Sequence, residues 1–156
     1  MIGKLKNTTE LKNILKTKNK KTVLCHGVFD LLHIGHIYYL EEAKKNGEIL
    51  IVSLTSDKFV NKGPSRPVFN EFQRAKMLAA LNFVDFVIIS NNPTAEIILK
   101  ELKPSVYCKG PDFRDSKKDL TGKIINETNI VKKYGGKVLF TKSETFSSSN
   151  LINKFY

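Results

Sequence analysis

The chain has 156 residues, 41% of them apolar, with a formal net charge of +11. That length predicts one domain over 1–156 with a single core, and no apolar run approaches the roughly 18 residues needed to cross a membrane. Seven lysines against one glutamate fall in the first 21 residues, so most of the charge belongs to a solvated N-terminal segment. No basic strand interleaved with aromatic residues argues for a nucleic-acid partner, and anionic small molecules suit the charge equally well.

Thr8 or Thr9 is placed to cap a first helix whose Leu11, Ile14 and Leu15 share one face. "TVLCHG" reads as a buried strand. From Ile34 to Lys45 the pattern is helical, with Ile37, Leu40 and Tyr38 as inward candidates, closed by Asn46 and Gly47. "ILIVSLTS" is a near-continuous apolar run, the mark of a strand covered on both faces. After the loop "NKGPSRPV" come a helix from Glu71 to Leu81, the strand "FVDFVIIS", a helix from Thr94 to Leu102 and the strand "SVYCKG". The polar stretch "PDFRDSKKDLTG" leads to a helix ending near Tyr134, the strand "KVLFT" and a last helix from about Ser147. Strands alternating with helices predict an α/β, Rossmann-like parallel sheet with helices on both faces. Cys25 and Cys108 each end an apolar run and read as buried free thiols. With no signal-like N-terminal stretch, a soluble, cytoplasmic protein is expected.

Ligands in open α/β sheets bind beyond the carboxyl ends of the strands. Those ends here read "HGVFD", "TSD", "KGPDF" and "KSETFSSS", collecting Gly, Ser, Asp, Lys and His at one edge. His33 and His36, three apart at a helix start, are able to project together, and Gly35 leaves room for a ligand beside them. A helix start offers unpaired N–H groups and a positive dipole end. It therefore favours phosphate and disfavours imidazolium, so both histidines are expected to be neutral. Gly27, Val28 and Phe29 bring backbone amides close, whereas His26 ends the strand and reads as structural. Ser147, Ser148 and Ser149 form a second candidate anion site.

"GVFDLLHIGHIYYLEEAKKNG" resembles the His-x-Gly-His signature of the cytidylyltransferase-like nucleotidyltransferases. "SRPVFNEFQRAKMLAALNFVD" and "KPSVYCKGPDF" look most like the adenylyltransferase domain that makes ADP-heptose. The resemblance implies transfer of a nucleoside monophosphate from an NTP, ATP first, to a sugar 1-phosphate such as heptose 1-phosphate, releasing pyrophosphate. The product would be a nucleotide-activated surface-glycan precursor. The alternative is a CTP-dependent enzyme acting on glycerol 3-phosphate or a similar polyol phosphate. His33 and His36 would hold phosphate oxygens and Lys62 would bridge nucleotide and acceptor. Mg2+ would ride on the NTP, with no protein side-chain ligands. Lys109, Asp112, Lys142 and the three serines would face the nucleotide, and Asp30, Arg66 and Arg74 the acceptor. Asp30 is equally suited to bracing its loop, and Arg74 to pairing with a nearby carboxylate. Related enzymes are generally dimeric, so a homodimer is expected. Three departures surround the base and acceptor pockets. Pro111 replaces a glycine of the heptose-type motif, Lys142 replaces a signature arginine, and the stretch from Phe113 to Tyr134 is longer than usual.

Overall fold

The computed structural model describes residues 3–114 and 122–144. Helix α1 spans Thr8–Lys18, and its cap is Asn7 rather than Thr8 or Thr9. Asn7 Oδ1 accepts from Glu10 N at 2.9 Å while the Glu10 carboxylate accepts from Asn7 N at 3.0 Å. This reciprocal pair satisfies two amides that a threonine cap one or two positions later would leave open.

Strands β1 (Thr22–Gly27), β2 (Ile49–Thr55), β3 (Phe86–Ser90), β4 (Val106–Lys109) and β5 (Lys137–Phe140) form one parallel sheet in the order β3-β2-β1-β4-β5. The strand read as "FVDFVIIS" pairs only from Phe86. Asp85, just before it, turns its carboxylate onto Leu50 N at 2.7 Å and the Lys44 ammonium. Between the strands lie α2 (Ile34–Lys44), α3 (Glu71–Ala80), α4 (Glu96–Leu102) and α5 (Lys123–Lys133). The helix expected from Ser147 lies outside the described residues.

Side chains alternate across the sheet and feed two cores. Val23, Cys25, Leu50, Val52 and Leu54 pack under Leu40, Ala43, Ala75 and Leu78 of α2 and α3. Leu24, Ile49, Ile51, Ile88 and Tyr107 pack under Leu11, Ile98, Leu99, Ile124 and Val131 of α1, α4 and α5. Each fully buried leucine here contributes about 1.5–3 kcal/mol of transfer free energy. Gly47 is required at the turn into β2, because a Cβ there would stand 2.8 Å from the Lys21 carbonyl oxygen. Cys25 and Cys108 face each other in register as buried free thiols.

One helix has a different inward face from that expected. Tyr38 is exposed, and Tyr39 instead turns to the sheet and donates its hydroxyl to the Cys108 carbonyl at 2.7 Å. Ile34, Ile37, Tyr38, Tyr39 and Leu40 surround α2 with apolar surface, so periodicity alone does not fix its rotation.

The order of strands reverses between β1 and β4, and the crevice outside the carboxyl ends of those two strands is where such sheets take ligands. The fold therefore brings Gly27 and Lys109, the last residues of β1 and β4, to one place.

Candidate active site

A cavity of about 580 Å3 opens at that crevice, and Gly27, Val28, Phe29, His33, Gly35 and His36 line one side of it. Lys62, Lys109 and Asp112 line it too. Nine residues singled out from the sequence are thus brought together from three separate segments. Ser147, Ser148 and Ser149 lie outside the described residues.

The β1–α2 connection shapes the floor. Phe29 is buried with φ of 49°, a conformation that costs a bulky residue about 1 kcal/mol or more. The turn sets the Phe29 ring 5.2 Å from the His36 ring. His33 is the N-cap residue of α2, and the His33 and His36 rings stack with centroids 3.9 Å apart. His36 Nδ1 accepts from His33 N at 3.4 Å, which assigns the proton to Nε2 and makes that atom a donor.

Both rings are held neutral. Burial, then the neighbouring His33 and Lys62, lower the His36 pKa from 6.5 to about 4. Burial and Lys62 lower that of His33 as well. The neutrality expected from the helix dipole is present, with desolvation as its main cause. Lys62 is itself shifted down by partial burial and by Arg66, against the pull of Asp30. His26 is buried, with Nδ1 3.0 Å from Ser53 Oγ and Nε2 3.5 Å from Thr55 Oγ1. Its edge also reaches the cavity wall.

Of the three residues considered for the acceptor, Arg74 and Asp30 take the alternative placements, a carboxylate partner and a loop brace, and Arg66 stands off the cavity. Arg74 is completely buried and does not line the cavity. Its guanidinium donates to Phe69 O at 3.0 Å, to Val28 O, and to Asp57 Oδ1 at 2.6 Å. A cation at that depth needs partners, and each of its three guanidinium nitrogens has one. Asp30, 1% exposed, accepts from Val68 N at 2.6 Å and from Arg66 Nε. It braces the loop that carries Lys62. Arg66, tied to Asp30, stays off the cavity lining, and its charge beside Lys62 helps to lower that lysine's pKa. Lys142, expected on the nucleotide, also misses the lining, because its backbone N–H is drawn to Glu42 at 2.9 Å. Its neighbours Ser143 and Glu144 take that wall instead.

The opposite wall was not anticipated: Thr94, just before α4, and Lys123 and Glu127 on α5. Glu127 is 3% exposed and shares the inward stripe of Ile124 and Val131. A carboxylate on an apolar stripe is a signal the sequence did carry. The Lys109 ammonium lies 4.1 Å from the Phe113 ring centroid, a cation–π contact at the mouth.

A larger groove of about 670 Å3 lies at the other end of the sheet, lined by Lys12, Lys16, Lys20, Lys21, Lys100 and Lys103 among others. Several of these lysines stand at or beyond the last turns of α1 and α4, where helix dipoles favour cations. Among the described residues no helix is long and apolar enough to cross a membrane.

The pattern that defines the cytidylyltransferase-like family matches residues 24–154. The chain belongs to that family. Among this family's members it is 46% identical over 153 residues to the bifunctional protein HldE of Campylobacter jejuni subsp. doylei, and 40% identical over 158 residues to that of Geobacter metallireducens. Both alignments cover 97% of this chain and 31% of the relative, so the chain spans about a third of the length of these curated proteins. A lipopolysaccharide core biosynthesis protein from Thermoplasma volcanium superposes with TM-score 0.66 at 28% identity, over 81% of this chain and all of that one. Pantoate-beta-alanine ligase from Francisella tularensis shares the fold, with TM-score 0.63 at 17% identity over 96% of this chain and 72% of the ligase.

Proposed function

We propose that the chain is an adenylyltransferase that moves AMP from ATP to a heptose 1-phosphate and releases pyrophosphate. The observation that carries this reading is the neutral, stacked His33–His36 pair at the start of α2, facing a cavity shared with Lys62 and Lys109. The HldE relatives and the lipopolysaccharide core protein favour a phosphorylated sugar as acceptor.

A phosphate monoester is already largely ionised near pH 7, so its oxygen attacks the α-phosphorus without a general base. A P–O bond forms to the acceptor, the bond to the bridging α–β oxygen breaks, and pyrophosphate carries away the electron pair. Catalysis is then a matter of alignment and charge. His36 Nε2–H and the free amides of α2 donate to phosphate oxygens, and they do so without the cost of charging a buried imidazole. Lys62 supplies positive charge as negative charge builds on the leaving group. Its loop is held in register by Asp30 through Val68 N and Arg66.

Among the described residues no group of three His, Cys, Asp or Glu side chains is arranged to hold a metal ion. Mg2+ carried by the triphosphate would neutralise phosphate charge there, and Asp112 and Glu144 are carboxylates of the cavity lining that would face it.

Pyrophosphate release measured over ATP and CTP against heptose 1-phosphate and glycerol 3-phosphate tests this directly. The expected result is turnover with ATP and heptose 1-phosphate. Strict dependence on CTP with glycerol 3-phosphate would overturn it.

A further inference from the structure

The two walls of the cavity differ in chemistry. On the α2 side, neutral donors and lysines suit phosphate oxygens. On the α4–α5 side stands Glu127, buried and lining the cavity. Its Oε1 accepts from Ala95 N at 3.1 Å and its Oε2 from Tyr107 Oη at 2.7 Å. A carboxylate has about four lone-pair directions, so two neutral donors leave half its capacity unused. Among the described residues no lysine or arginine pairs with it within 4.0 Å. Burying a carboxylate without a counter-ion is costly, and the cost is offset where a ligand brings donors.

The chemistry of that ligand follows from the sign. A carboxylate repels phosphate, so the triphosphate and the acceptor's phosphate stay on the α2 side. What suits the far wall is the neutral, donor-rich remainder of an acceptor, its hydroxyl groups. Thr94 and Lys123 supply complementary groups beside Glu127, a hydroxyl and an ammonium. A flat nucleobase matches the Pro111–Phe113 side better, where an aromatic ring and a proline face the opening.

We infer that Glu127, with Thr94 and Lys123, forms the subsite for the hydroxyl groups of the acceptor sugar. This rests on the adenylyltransferase reading for its substrate, though not for its geometry. Tyr107 Oη and Ala95 N act as positioning groups that aim the carboxylate from β4 and from the start of α4.

The test is steady-state pyrophosphate release with ATP and heptose 1-phosphate, each varied in turn, alongside calorimetric titration of heptose 1-phosphate without nucleotide. Glu127→Gln keeps the shape and removes the charge. It should raise the acceptor KM about tenfold or more while the ATP KM stays within about twofold. Tyr107→Phe leaves the carboxylate in the wall, so it should lower thermal stability with a smaller acceptor effect. If Glu127→Gln does not fold, Thr94→Val carries the same criterion. Equal rises in both KM values, a rise for ATP alone, or no change would overturn the subsite. Turnover with an unchanged acceptor KM sinks the subsite and spares the proposed reaction. Absence of turnover, with sugar phosphate binding that Glu127→Gln abolishes, does the reverse.

Discussion

Ser143 donates its backbone N–H to the Glu42 carboxylate at 3.0 Å, across 101 positions of sequence. Lys142 N joins it on the same carboxylate at 2.9 Å. Glu42 lies further along the helix that begins beside His33, so one side chain ties the end of β5 to the helix at the centre of the site.

Glu42→Ala should therefore release Ser143 and Glu144 from the cavity rim. A fall in kcat/KM of about tenfold is expected from lost alignment, with little change in melting temperature because the bonds are near the surface. Glu42→Gln, which keeps one acceptor oxygen, should recover most of the rate. An unaltered kcat/KM in the alanine variant would show that the clamp has no bearing on the site.

Arg74→Ala should act on stability before it acts on substrate. Removing a fully buried guanidinium leaves Phe69 O and Val28 O without their donor and breaks the pair with Asp57. A loss of about 3 kcal/mol is expected in urea denaturation. Wild-type stability with a selectively raised acceptor KM would return Arg74 to the substrate.

What the sequence made readable was local. "TVLCHG" and "ILIVSLT" are apolar on both faces, and His33-Ile34-Gly35-His36 fall within one turn, so neither needed knowledge of distant partners. For Arg74 the sequence left the acceptor and a carboxylate partner both open, because Val28 and Asp57 follow two different strands and meet only when the sheet forms. Glu127 is similar, since Ala95 and Tyr107 reach it across 32 and 20 positions. The Asn7–Glu10 capping box is written in nearby residues, but Thr8 and Thr9 are also favoured cap types beside it, and only the backbone geometry selects Asn7.

Acid should weaken the fold through its histidines. His26 is held near pKa 3 and His36 near 4, against an ordinary 6.5, so between those values the unfolded chain binds more protons than the native one. Their contribution is complete above pH 6.5 and is lost as pH falls toward the folded values. Each histidine adds a slope of up to about 1.4 kcal/mol per pH unit. Denaturation midpoints taken from pH 7 to pH 5 should fall, and less steeply in His26→Asn. A slope that His26→Asn leaves intact would show that this imidazole does not titrate on unfolding.

Lys62→Ala should lower kcat about a hundredfold with a smaller effect on the ATP KM, because its charge matters most as pyrophosphate departs. Lys62→Arg should restore part of the rate. If kcat is unchanged and only KM rises, the lysine binds substrate without assisting the chemistry.

The most direct measurement is kcat/KM for the double variant His33→Ala, His36→Ala, with its denaturation curve recorded beside it. Two donors removed from the developing phosphate charge should cost about a thousandfold or more, while stability changes by about 1 kcal/mol or less. A folded double variant that turns over at the wild-type rate would contradict the claim that these stacked, neutral imidazoles hold the reacting phosphates.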